Sequence, residues 1–171
     1  CGNTVSAYAQ KINKAIARVE DNAEDLSLTG VIYYSSKNLN IARQVIKETF
    51  NRSDHSGLGG GIWFEPYVIS PKTKFFRIYF FKNKYDEVSY DTLHFDYFER
   101  IWYKQLSAKL KKEHGVVWST PYADIRDKKT IVITAGTGIY DEYGNFIGLS
   151  SVDCKISEMK KYLEKMVPTP N

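Results

Sequence analysis

The sequence predicts an α+β fold, a central antiparallel sheet with flanking helices and a long N-terminal helix. Three observations carry this prediction. The first thirty or so residues repeat apolar side chains at helical spacing. Two pairs of aromatic and β-branched segments follow, each pair joined by a short turn, which is the order of hairpins. A further helical pattern lies between the pairs. Strands in hairpin order with helices set apart argue against a parallel nucleotide-binding sheet, in which strands and helices alternate.

The N-terminal helix is read from Val5, Ile12, Val19 and Leu26, which recur every seven residues, with Ala9, Ile16 and Ala23 four positions after members of that series. Heptad spacing suits a stalk that pairs with a copy of itself. The same stripe suits an amphipathic helix lying on its own domain, and one helix leaves both readings open. The stretch "DLSLTGVIYYSSKNLN" reads as an interruption. A second helix then places Leu39, Ala42, Val45, Ile46 and Phe50 on one face, and "NRSDHSGLGGG" (51–61) ends it with turn residues.

Beyond the glycines, "GIWFEPYVIS" and "KFFRIYFFKN" read as two strands separated by "PKT". A helix over 95–112 precedes "EHGVVWSTPYADI", a loop with a proline. "TIVITAGTGIY" and "FIGLSSVDC" flank "DEYGN", a second hairpin with glycine in its turn. The helix "ISEMKKYLEKM" closes the pattern. Residues 1–57 are thus expected to form the stalk and second helix, and 58–171 the sheet-bearing module. The start within a helical pattern and the final "VPTPN" read as a segment of a longer protein.

At 171 residues the chain has room for one domain with a proper core. Aromatics reach 15%, mostly Tyr, and the net charge is only +4. The densest basic run, "KLKKEH" (109–114), ends a helix, where cations offset the helix dipole. Nucleic-acid binding is therefore not expected. Cys1 and Cys154 form neither a disulfide framework nor a metal cluster, though a single bridge between them stays open. No apolar run is long enough to span a bilayer.

Several chemistries lack their signatures. "GLGGGI" is followed by a strand pattern, whereas a phosphate-binding loop needs a helix or a Lys-Ser/Thr pair, so a flexible connection is expected there. His55, His94 and His114 stand singly, without a second metal ligand at helical or hairpin spacing. No nucleophile motif is present. "NRS" at 51–53 fits a glycosylation acceptor but is short enough to arise by chance. No cofactor, metal or catalytic residue is assigned.

What remains is a constellation of three segments, "DYFERIWYKQL" (96–106), "WSTPYADI" (118–125) and "YDEYGNFIGLSSVDCKI" (140–156). In this combination and order they resemble the Cache sensor domains, extracellular relatives of the PAS fold found in bacterial and archaeal chemoreceptors and histidine kinases. The resemblance spans roughly residues 58–168 and implies a PAS-like sheet forming one wall of a ligand pocket. It further implies that Arg100, Trp102, Tyr103, Trp118, Tyr122, Asp124 and Asp153 are ligand-binding. Phe95 departs from the pattern of the amino-acid-binding subset, which has Tyr at that place.

The residue types are coherent by themselves. Arginine offers a planar fork for a carboxylate, and Asp124 and Asp153 would pair with an ammonium. Bland roles compete at each position. Trp102 shares an i, i+4 stripe with Phe98, Leu106 and Leu110 that suits a core. Arg100 is placed to pair with Glu99 or Asp96. Trp118 suits the core, Tyr122 and Asp124 the turn after Pro121, and Asp153 the N-cap of the closing helix. For Arg100 and Trp102 to face one ligand, the helix must begin near Trp102, because two residues apart on a helix point about 200° apart.

The expected function is an extracytoplasmic sensor that binds an amino acid or related carboxylate and signals across the membrane to a kinase or chemoreceptor output. A homodimer through the N-terminal helix is the natural partner arrangement. The rival is a dimerisation or partner-binding module with its pocket filled by aromatics. An enzyme would have only Asp124 and Asp153 as candidate acid or base.

Overall fold

The computed structural model describes residues 2–52 and 57–164. Helix α1 (Gly2–Ser36) and helix α2 (Leu39–Arg52) precede strands β1 (Gly57–Phe64), β2 (Phe76–Lys82) and β3 (Val88–Tyr90). A 3₁₀ turn (Tyr97–Glu99) and α3 (Ile101–Leu110) follow. Then come β4 (Val117–Trp118), β5 (Tyr122–Ala123), β6 (Ile131–Gly136), β7 (Gly138–Tyr140), β8 (Phe146–Lys155) and α4 (Ile156–Glu164). All pairings are antiparallel, in the order β3-β2-β1-β8-β6-β4, with β5 beside β6 and β7 beside β8. The α+β architecture expected from the sequence is the one observed.

Strand alternation divides the sheet into two faces. Ile62, Phe64, Ile78, Phe80, Val152 and Cys154 face α1 and α2, against Val19, Ala23, Leu26, Ile46 and Phe50. Trp63, Tyr79 and Leu149 point the other way, into an aromatic cluster with Tyr97, Trp102, Tyr103 and Leu106. The second face carries the site.

The structure corrects the expected break in the first helix. α1 runs without interruption to Ser36, because "LTGVIYY" packs on the sheet, with Thr29, Gly30 and Tyr33 buried. Gly30 lets the helix lie close, since a Cβ there would stand 2.4 Å from Ile139 Cδ1. Lys37, with φ 55°, ends the helix, and Asn38 Oδ1 accepts from the Ile41 amide to start α2. The amphipathic reading of the stripe holds for the C-terminal half of the helix. Val19 and Leu26 are buried on the domain, whereas Val5 is 69% exposed. Within α2, Val45 is exposed and the remainder of its predicted stripe faces inward or partly so.

The glycine run is also corrected. Gly57, Gly59, Gly60 and Gly61 lie inside β1, paired with both β2 and β8, and do not form a flexible connection. The first hairpin has a wider connection than "PKT". Pro66 lacks an amide to continue the ladder, Tyr67 has φ 63°, and β2 begins only at Phe76. The second hairpin turns at Gly144, with φ 82°. Cys154 is a buried free thiol, pushed up to about 12 by burial. Cys1, His55 and Ser53 of the "NRS" motif lie outside the described residues.

Candidate functional site

The region expected to be one helix over 95–112 divides at Arg100. Asp96 accepts from the Phe98 amide and caps the 3₁₀ turn. Arg100 is then extended (φ −75°, ψ 139°) and serves as N-cap residue for α3, which begins at Ile101. This kink meets the geometric condition set by the sequence, because an extended Arg100 shares a side with Trp102. Neither acidic neighbour takes Arg100. Glu99 pairs with Lys104 at 2.7 Å and Asp96 is engaged in its cap. Among the described residues, the half-buried Arg100 side chain has no hydrogen-bond or ion-pair partner.

Around it, Trp63, Tyr79, Phe95, Trp102, Tyr122, Asp124, Ile125, Arg126 and Asp153 close a cavity of about 20 Å³. A space of that size holds about one water molecule. The sheet supplies its floor. Trp63 is fixed by its indole N–H, which donates to Ser151 Oγ at 2.8 Å. Asp153, on β8, is buried and accepts from the Tyr79 hydroxyl at Oδ2 and from Thr134 Oγ1 at 2.6 Å at Oδ1. Because the Thr134 proton is spent on Asp153, the Tyr122 hydroxyl donates to Thr134 Oγ1 at 2.7 Å. Asp153 therefore sits within the sheet, three residues before α4, and does not cap that helix.

Loops close the far side. Asp124 Oδ1 accepts from the Arg126 amide at 2.6 Å, an Asx-type turn that reverses the chain after β5. Its Oδ2 pairs with Arg126 Nη1 at 3.3 Å. Arg126 Nη2 also bonds Asp91 Oδ2 at 3.1 Å, and the same Asp91 oxygen takes Arg77 Nη1 at 3.0 Å. The Arg126 guanidinium lies 4.7 Å from the Tyr79 ring centre and 4.9 Å from that of Phe81.

The electrostatics follow from burial. Desolvation raises the Asp153 carboxyl above its ordinary range, against the pull of the Thr134 and Tyr79 donors and of Arg126. Burial, then the Asp153 charge, raises Tyr79 well above the usual phenol, and Tyr122 is raised for the same reasons. For Arg126, burial opposes the charge, but Tyr79, Asp91 and Asp124 outweigh it and raise its pKa.

Of the sequence-predicted residues, Arg100, Trp102, Tyr122, Asp124 and Asp153 meet at this cavity. Tyr103 and Trp118 do not line it. Tyr103 is buried in the aromatic cluster with its hydroxyl on Glu65 Oε1 at 3.2 Å. Trp118 faces α1, packs against the other core and donates from Nε1 to Glu20 Oε1 at 2.9 Å. The sequence reading missed Trp63, Tyr79 and Arg126. Alternation along β1 and β2 would have placed the first two on the Asp153 face, had the strand register been known.

The family model of the methyl-accepting chemotaxis protein-like, first PDC sensor domain matches residues 42–161. The chain belongs to that family of sensor domains. Solved structures share the fold. A methyl-accepting chemotaxis protein X superposes with TM-score 0.78 at 17% identity, over 98% of this chain and 65% of its own. The periplasmic sensory domain of the Campylobacter jejuni chemoreceptor Tlp1 gives TM-score 0.67 at 12% identity, over 96% of this chain and 62% of its own. The ligand-binding domain of the Pseudomonas aeruginosa amino acid chemoreceptor PctC, solved in complex with GABA, gives 0.64 at 14%, over 95% and 65%. The chain thus spans somewhat less than two thirds of these structures. No curated protein sequence matches it.

Proposed function

We propose that this chain is the extracytoplasmic sensing part of a membrane-anchored receptor, and that its cavity takes an amino acid or related carboxylate. One observation carries the reading. Residues as far apart in sequence as Arg100 and Asp153 meet at one cavity, and Arg100 stands there without a partner among the described residues. A partly buried, unpaired guanidinium beside Trp102 is suited to a bidentate carboxylate. Because the cavity holds about one water, ligand binding requires its wall to move, and the ligand selects the opened arrangement. The shift would reach α1 through the sheet, where Ser150 Oγ donates to the Ala23 carbonyl at 2.6 Å. Among the described residues no helix is long and apolar enough to cross a membrane, and the proposed anchor would be supplied by segments outside this chain.

A thermal-shift screen against amino acids and small carboxylates tests the reading. A ligand at about a hundred times its dissociation constant adds about 2.7 kcal/mol. For a domain of this size that raises the melting temperature by on the order of 5–10 °C. Arg100→Ala should melt like the wild type and lose the shift.

The small volume of the cavity favours one rival, a non-liganded dimerisation or partner-binding module. No shift across the panel, together with self-association, would establish that rival instead.

A further inference from the structure

We infer that the ligand is a small monocarboxylate without an α-ammonium group, because the chain's own Arg126 already holds the cation's place at the acidic end of the cavity. This rests on the reading of the cavity as a ligand site. An ammonium group needs a carboxylate with spare charge. Asp124 is paired with Arg126 through its side chain and bonded to the Arg126 amide. Asp91 is shared between Arg77 and Arg126, and its second oxygen accepts from the Leu93 amide at 2.9 Å. Asp153 accepts from Tyr79 and Thr134, one at each oxygen, and the Arg126 charge also acts on it.

To seat an ammonium, the site would have to hold it against the like charge of Arg126 or else expel Arg126. Expulsion breaks its pairs with Asp124 and Asp91 and lifts the guanidinium from the Tyr79 and Phe81 rings. Separating one member of a buried ion pair leaves the other uncompensated, which is strongly unfavourable. A carboxylate has no such obstacle, because Arg100 is the cavity-lining cation that lacks a partner among the described residues. A second carboxylate on the ligand would find the other cavity-lining cation, Arg126, already paired with Asp124 and Asp91, so one acid group is the fitting number. Trp63, Phe95 and Trp102 offer an apolar body their rings, and Phe95 has no hydroxyl to greet an amine.

The access route is visible in the same region. Phe95 lines both the cavity and a 490 Å³ surface groove formed by residues of the irregular segment 91–96 and by Phe75, Phe76 and Arg77. Displacing Phe95 would join the two spaces. Arg126, held by its pairs, stays in place while this wall opens.

Calorimetric titration of the purified chain with matched pairs tests the inference. The pairs are propionate and alanine, isovalerate and valine, isocaproate and leucine, and hydrocinnamate and phenylalanine, each differing only in the amine. In the pair that binds, the simple acid should bind tighter by about tenfold or more. In Arg126→Met, whose Asp124 and Asp91 are released, the preference should fall or reverse towards the amino acid. The wild-type comparison stands alone if that variant fails to fold. Tighter binding of the amino acid by the wild type overturns this inference and leaves the ligand site intact. Heat from neither member of any pair counts against both.

Discussion

The Tyr79 hydroxyl donates to Asp153 Oδ2 across the strand between them, and it does so over Gly59. Gly59 stands opposite Phe81 on β2 and opposite Asp153 on β8. A Cβ at this position would come within 2.7 Å of the Tyr79 hydroxyl oxygen and 2.6 Å of the Phe80 carbonyl oxygen. Neither atom is the free end of a flexible chain. The glycine therefore opens the gap through which a tyrosine from one strand reaches a carboxylate two strands away, and the floor of the cavity depends on it.

Gly59→Ala should consequently cost about 1–3 kcal/mol, the usual range for overpacking a filled site. Urea denaturation of the variant beside the wild type measures this. Tyr79→Phe removes the donor but leaves the strands undisturbed. It should cost about 1–3 kcal/mol as well, since Asp153 loses a partner in a buried place. An unchanged midpoint for Gly59→Ala would mean that the strands part at that point without loss.

A pH dependence follows from Asp153. Its folded pKa is raised by burial, so the folded chain holds the proton more tightly than the unfolded chain. The associated stability is complete below the unfolded carboxyl pKa, near ~3.9, and is lost as pH rises through the folded value. Each unit of difference corresponds to about 1.4 kcal/mol. Asp153→Asn cannot titrate. Stability measured from acid to neutral pH should therefore decline less in the variant than in the wild type across that window. Parallel pH profiles would remove Asp153 as the cause.

Much of the site was legible because its residues lie in short contiguous motifs. Arg100 and Trp102 came together through the family resemblance, and helix geometry added the condition that the helix begin near Trp102. Tyr122 and Asp124 came from the same resemblance, whereas the proline before them suggested only a turn. The missing residues depended on register and on loops. Trp63 and Tyr79 looked like ordinary strand aromatics until pairing with β8 set them on the Asp153 face. Arg126 was hidden because its partners include Asp91, far away in sequence. The misread segments have the same origin. Gly30, Gly59, Gly60 and Gly61 have turn-like composition, yet each lies where another element comes too close for a Cβ.

Trp118 distinguishes the candidate site from the attachment of α1. Its indole N–H bonds the Glu20 carboxylate at 2.9 Å, and its ring lies against the core beneath α1. Trp118→Phe keeps most of the packing and removes a hydrogen bond to a charged group, which typically contributes about 1.5–3 kcal/mol. The variant should be less stable by about that amount and bind ligand as the wild type does. Loss of binding with unchanged stability would return Trp118 to the pocket.

The two halves of α1 predict two different phenotypes. Leu26 is fully buried, beside Ala23 and facing the sheet, so Leu26→Ala should cost about 2–5 kcal/mol at any protein concentration. Val5 is 69% exposed and Ile12 only half-buried, so the same heptad stripe there has little of its own domain to cover it. If that portion pairs with a second copy, Val5→Asp with Ile12→Asp should abolish self-association, because charges at both seam positions oppose a coiled coil. Sedimentation velocity over a concentration series measures the assembly, and a melt of the dilute sample should show no loss of stability. A double variant that sediments like the wild type throughout would assign self-association to another surface.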